Sequence, residues 1–243
     1  MALSNPFGTL FNPVSIANVV KMTMNQELFT ENYRYFYDNR FLSFAHAGSF
    51  SHDDENLFLQ KIYQQFNDTI AFLEKARFLF ITFGTAYCYQ FSERNLVVAN
   101  CHKIPNHQFH KSLIHVDEIV SIYGDIFQKL LSMNPSLKII FTVSPVRHLG
   151  DGFHENQVSK SILHLAIEKI LNNENIFYFP AYEILIDDLR DYRFYAEDLC
   201  HPGENAIRYM EEIFADTFFS KTTQEKLKEI AKENKFLNHR KLK

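Results

Sequence analysis

Apolar residues recur at helical spacing in five stretches, and short runs without polar interruption lie between them. Asn12-Pro13 ahead of Val14-Ser-Ile-Ala-Asn-Val-Val predicts an N-cap with proline at the first helical position, opening a helix to about Met24. Ser51 with Asp53, Asp54 and Glu55 supplies a capped, acidic first turn for a long helix. Its stripe of Leu57, Phe58, Ile62, Phe66, Ile70 and Leu73 carries it to about Arg77. From Leu113 to Met133 a second long stripe includes Val116, Ile119, Tyr123, Ile126, Phe127 and Leu130, and Asn134-Pro135 stops it. Further helices are predicted from about Asn156 to Leu171 and from about Pro202 to Phe219.

Phe78-Leu-Phe-Ile-Thr-Phe before Gly84, Lys138-Ile-Ile-Phe-Thr-Val before Ser144, and Ile176 to Phe179 read as buried strands, with Leu96-Val-Val-Ala a shorter candidate. Wholly apolar strands alternating with helices predict a mainly parallel sheet covered on both faces, an α/β three-layer sandwich. Such sheets bind ligands beyond the carboxyl ends of their strands. Attention therefore falls on Gly84-Thr85, on Ser144-Pro-Val-Arg-His148, and on the segment before the last helix.

Composition narrows the classes. The 243 residues are 46% hydrophobic and 22% charged, which excludes a disordered or fibrous chain and suits one sizeable domain. No stretch reaches the ~20 apolar residues that span a bilayer. Cys88, Cys101 and Cys200 are odd in number and widely spaced, which argues against a disulfide framework and for a reducing, cytoplasmic setting. The net charge of -4 is uneven: Lys221 to Lys243 carries eight Lys or Arg against three Asp or Glu, a net of +5, leaving -9 for residues 1–220. Glu/Lys pairs at helical spacing make this basic stretch read as a solvated helical tail, residues 221–243, appended to a domain of residues 1–220 and not as a nucleic-acid or membrane contact.

Asp198-Leu-Cys-His201-Pro202 precedes the last helix. A carboxylate three residues ahead of an imidazole can hold its Nδ1-H and leave Nε2 as a general base. A second copy, Asp151-Gly-Phe-His154, shows how weak the spacing is by itself; the late strand-end position favours Asp198 and His201. Only 7 glycines occur where average usage would give roughly 17, so each marks a special backbone position. Gly84, with Thr85 beside it, and Gly8 in Asn5-Pro-Phe-Gly-Thr9 offer amides for an oxyanion, or simple turns. Arg147 and His148 can meet an anionic or polar substrate group. Cys101-His102, His107, His110 and His115 lack the paired spacing of a zinc site, so no metal is expected. No phosphate-binding glycine fingerprint is present, and no cofactor is expected.

Several long segments, in order, resemble the bacterial GSCFA domain family: Asn5 to Asn18, Phe80-Ile-Thr-Phe-Gly-Thr-Ala86, Val97-Val-Ala-Asn-Cys-His-Lys-Ile-Pro105, Phe141-Thr-Val-Ser-Pro-Val-Arg-His148, Tyr178 to Ile184, Leu189-Arg-Asp-Tyr-Arg-Phe-Tyr195 and Asp198-Leu-Cys-His-Pro202. That family is similar to the SGNH/GDSL hydrolases, in which an early serine attacks an ester. The resemblance implies Asp198 as orienter and His201 as base. It implies Gly84-Thr85 and Gly8 around the oxyanion, and Asn100, His102, Arg147 and His148 in the pocket. The implied substrate is a small-molecule or carbohydrate ester. The Gly-Ser-Cys-Phe-Ala signature and its serine do not occur in these residues, and only Ser4 and Ser144 stand in places to substitute. The expectation is therefore an N-terminally shortened hydrolase domain with its first strand missing. The alternative is a non-catalytic carbohydrate- or acyl-binding module using the aromatic segments Tyr33 to Phe44 and Tyr192 to Tyr195.

Overall fold

The computed structural model describes residues 2–171 and 174–241. By its contacts the chain divides into two compact units, Met1–Tyr182 and Glu183–Lys243. The last two residues of the predicted basic tail, 242 and 243, lie outside the described residues.

The first unit begins with α1 (Pro13–Met24), capped as its sequence dictates: Asn12 Oδ1 accepts the Ser15 amide at 2.8 Å and proline takes the first turn. In α2 (Glu55–Leu73) the Asp54 carboxylate accepts the Leu57 amide at 2.9 Å, which starts the helix after the predicted acidic cluster. Strand β3 (Phe78–Phe83) leads through a small antiparallel region to α3 (Val116–Met133), then β7 (Lys138–Val143), α4 (Phe153–Ile170) and β8 (Ile176–Tyr178). β3, β7 and β8 form a parallel sheet in that spatial order, with Phe83 opposite Val143 and Phe141 opposite Tyr178. The fold class is thus the expected α/β type. Two successive crossovers in one direction place α3 and α4 on the same face, where they pack together. Tyr123 and Phe127 of α3 meet Phe83 and Phe141 there, with ring centroids 5.2–5.8 Å apart. The other face carries Phe78 and Phe80, 43% and 46% exposed, beside the buried Ile140.

Two antiparallel sheets accompany the parallel one. The aromatic stretch forms an antiparallel hairpin, β1 (Arg34–Tyr37) and β2 (Arg40–Ser43). β4 (Tyr87–Phe91), β5 (Leu96–Val98) and β6 (Phe109–Leu113) make a separate antiparallel sheet in the order β5-β4-β6. The candidate strand at Leu96 thus pairs with β4 and stays out of the parallel sheet. Four residues link it to β4, whereas a parallel crossover needs a dozen or more. The hairpin's aromatics mostly pack inward: Tyr35 stacks on Phe44 at 5.3 Å and meets Phe91 edge-on at 5.1 Å, while Phe36 is exposed.

The second unit opens in the short turn α5 (Ala181–Glu183), which runs into a π-helical turn over Ile184–Leu189. It continues through a loop to α6 (Glu204–Phe218) and α7 (Lys221–Lys241). Its small core joins Leu185, Tyr195 and Ala206, flanked by Leu189, Phe194 and Met210.

Candidate functional site

Asp198 and His201 stand on the loop before α6, and the loop's backbone explains their pairing. Tyr195 and Pro202 form an antiparallel bridge, and the Ala196 amide donates to the His201 carbonyl at 2.8 Å, so the intervening residues are pinched into a turn. Leu199 takes a left-handed φ of 56° to close it, a strained conformation for a branched side chain. Gly203 follows because a Cβ there would stand 3.0 Å from the Tyr195 carbonyl oxygen.

Inside the turn, Asp198 Oδ1 accepts the amides of Cys200 and His201, both at 2.9 Å, and Oδ2 lies 2.6 Å from His201 Nδ1. The two backbone amides and the imidazole hold the Asp198 carboxyl down at about 2, so it is a carboxylate across the neutral range. A carboxylate on Nδ1 fixes the tautomer with Nε2 as the proton acceptor. Both side chains are at least half exposed. The second Asp-x-x-His copy makes no such pair: Asp151 is bound by Lys111, and His154 is exposed in the first turn of α4.

In the first unit, the exits of β3 and β7 are built from buried polar contacts. The amides of Gly84 and Thr85 both donate to one oxygen, the Phe11 carbonyl, at 2.7 and 3.1 Å. Glycine suits position 84 because a Cβ there would come 3.1 Å from that oxygen, a tight approach. The Gly84 carbonyl accepts Lys160 Nζ at 2.6 Å. Burial, then the Lys160 charge, lowers the pKa of His148, while Asp151 and the Gly84 carbonyl act in the opposite sense. Arg147, next to it, is half-buried. The structure thus brings Gly84, Thr85 and His148 together.

Gly8 has its own reason to be glycine. Its φ is +88°, and a Cβ would stand 2.1 Å from that of Ala47, while its amide donates to the Asn5 carbonyl at 2.9 Å. Asn100 and His102 belong to another set of contacts. Asn100 Oδ1 accepts the His102 amide at 2.8 Å in an Asx turn, and His102 Nε2 lies 2.7 Å from the Ser43 carbonyl oxygen. The Ser43 hydroxyl in turn meets Nδ1 of the fully buried His46 at 2.6 Å. Ser4 is exposed; the Ser144 hydroxyl accepts the Val146 amide at 3.3 Å.

Sequence reasoning missed Asn156, Ser159 and Lys160. They share one face of α4 at i, i+3, i+4 spacing, and all three are buried. A polar triplet at core-facing positions was the available signal. Among the described residues no group of His, Cys, Asp and Glu could hold a metal, and no helix is long and apolar enough to cross a membrane.

These features define an α/β protein with a carboxylate–histidine pair on a late loop. Residues 1–214 match the GSCFA family, and the chain belongs to it. No curated protein and no solved structure matches the chain.

Proposed function

We propose that this chain carries an SGNH-like serine hydrolase domain acting on an ester or acyl group, with Asp198 as orienter and His201 as general base. The observation that carries this reading is the 2.6 Å contact between His201 Nδ1 and an Asp198 carboxylate already held by two amides. In this mechanism Nε2 takes the proton of a serine hydroxyl as its oxygen attacks the acyl carbon. It returns that proton to the leaving alcohol, then deprotonates the water that releases the acid. The serine belongs to the Gly-Ser-Cys-Phe-Ala segment, which these 243 residues do not contain.

The oxyanion contacts assigned by this reading are Gly84, Thr85 and Gly8. The Gly84 and Thr85 amides converge on one oxygen atom, as such a site requires, and the Phe11 carbonyl oxygen stands at that point. Of the four pocket candidates, Arg147 and His148 are the pair beside these amides, whereas Asn100 and His102 brace a turn. The substrate is a small-molecule or carbohydrate ester, and the setting is the bacterial cytoplasm, where Cys88, Cys101 and Cys200, none of them in a disulfide, stay reduced.

The test is acyl-ester turnover by the chain extended with a Gly-Ser-Cys-Phe-Ala segment. Turnover abolished by His201→Ala supports the reading; an extended protein inert across a broad panel of p-nitrophenyl and carbohydrate esters removes its basis. The second reading, a binding module, has in its favour the missing serine and the exposed rings of Phe36 and Tyr192. Carbohydrate binding by the 243-residue chain that survives both Asp198→Asn and His201→Ala is its signature.

A further inference from the structure

Parallel strands β3 and β7 share their last ladder hydrogen bond where the Ser144 amide donates to the Phe83 carbonyl at 2.8 Å. Beyond it the chain leaves both strands, and the next carbonyls, those of Gly84 and Ser144, lose their ladder partners in a buried setting. Lys160 replaces them. Its side chain rises from α4, only 1% exposed, and its ammonium donates to both oxygens at 2.6 Å. Its neighbours on the same helix face hold the flanking residues. The Ser159 hydroxyl accepts the Ala86 amide at 2.8 Å and lies 3.1 Å from Thr85 Oγ1, and Asn156 Oδ1 accepts the His148 amide at 3.0 Å.

A buried ammonium is a costly way to join two strand ends, since packing alone is served as well by a Met or Leu of similar volume. Burial pushes Lys160 down to about 8, so it remains an ammonium at neutral pH. Its charge then acts on what lies at the strand exits, and His148 is a titratable group there, while the Tyr182 ring lies 5.9 Å from the ammonium. The charged groups around that imidazole are Lys160, Asp151 and Lys111, the last two paired with each other.

We propose that Lys160 is a positioning residue of the candidate site, whose ammonium clasps the exits of β3 and β7 through the Gly84 and Ser144 carbonyls and so fixes the segment from Ser144 that carries His148. This deepens the hydrolase reading and rests on it only in treating the strand exits as part of the site. Lys160 touches no reacting atom; it acts through Gly84 and His148.

The experiment is an NMR titration of the 243-residue chain following the His148 ring, with Lys160→Met and Ser159→Ala compared to wild type. The expected result is an upward shift of the His148 midpoint in Lys160→Met, with the Gly84 and Ser144 amide resonances displaced, and an unchanged midpoint in Ser159→Ala, which loosens the same helix face but keeps the charge. An unmoved His148 in Lys160→Met, or an equal shift in Ser159→Ala, overturns the proposal. If Lys160→Met does not fold, the wild-type Lys160 ammonium decides. A slowly exchanging 15Nζ signal below pH 8 that couples to the Gly84 and Ser144 carbonyls upholds the clasp, and a solvent-averaged signal overturns it. None of these readouts involves turnover, so an inert esterase assay leaves them intact, and their failure leaves Asp198 and His201 untouched.

Discussion

The carbonyl oxygen of Phe11 receives the amide of Gly84 at 2.7 Å, and a Cβ on residue 84 would sit 3.1 Å from that same oxygen. The exit of β3 and the segment ahead of α1 are therefore held at backbone distance. Gly8, three residues before Phe11, makes a second close approach against Ala47.

The two glycines differ in what a methyl group would meet. Gly84→Ala has an ordinary backbone conformation and one tight oxygen to move, so a loss of about 1–2 kcal/mol is expected. Gly8→Ala combines φ +88° with a Cβ 2.1 Å from its neighbour, and should cost more than about 3 kcal/mol or prevent folding. Chemical denaturation of the two variants checks the order; equal losses would contradict it.

Asn12 caps α1 from a buried position, through Oδ1 on the Ser15 amide. Asn12→Ala should lower stability by about 1–2 kcal/mol, and Asn12→Asp should recover most of that. Thermal melts of the three proteins test it, and an alanine variant as stable as wild type would refute the capping role.

His46 makes the fold sensitive to acid. Burial, then the nearby His102, depresses it to about 3 from the ordinary histidine value of 6.5, so it is neutral in the folded chain. An unfolded chain takes up this proton as pH falls below about 6.5 and the folded chain does not, so stability is full above that pH and declines toward pH 3, by on the order of 4 kcal/mol. His46→Leu should be less stable at pH 7, where the Ser43 hydroxyl loses its partner, yet show a shallower decline on acidification. Urea midpoints from pH 7 to 4 measure both effects; parallel curves would exclude His46 as the cause.

Asp198 works in the other direction. Its folded value of about 2 lies below the ordinary aspartate value of 3.8, so its contacts are complete above about pH 4 and fade as pH falls toward 2. In the serine-bearing extended protein, Asp198→Asn should reduce kcat on the order of 10³–10⁴-fold with KM little changed. A loss confined to KM would assign Asp198 to substrate binding instead.

Local patterns were sufficient for much of this fold. The Asn12-Pro13 cap, the stripe on α2, the stop at Asn134 and the boundaries of β3 and β7 follow from side-chain spacing and capping chemistry, which act over a few residues. Asp198 and His201 were legible for the same reason, being three residues apart in one turn. The sequence could not separate this pair from Asp151 and His154, because spacing is equal in both. The backbone separates them: Leu199 in the left-handed region turns His201 back onto Asp198, whereas Asp151 meets Lys111 from 40 residues away.

What depends on distant partners had to wait for the tertiary structure. The sheet to which Leu96–Val98 belongs is decided by which edge lies within reach of a four-residue link. The state of the Gly84 and Thr85 amides is decided by Phe11, more than seventy residues earlier. Lys160, read from its helix alone, is one polar residue among several. Only when β3, β7 and α4 come together do two orphaned carbonyl oxygens surround it. The sequence by itself determined the elements, the late carboxylate–histidine pair and the family resemblance, because each is written in neighbouring residues. Tertiary structure alone decided which buried polar atoms are satisfied and by whom, because a hydrogen bond across the core is set by where whole strands and helices pack.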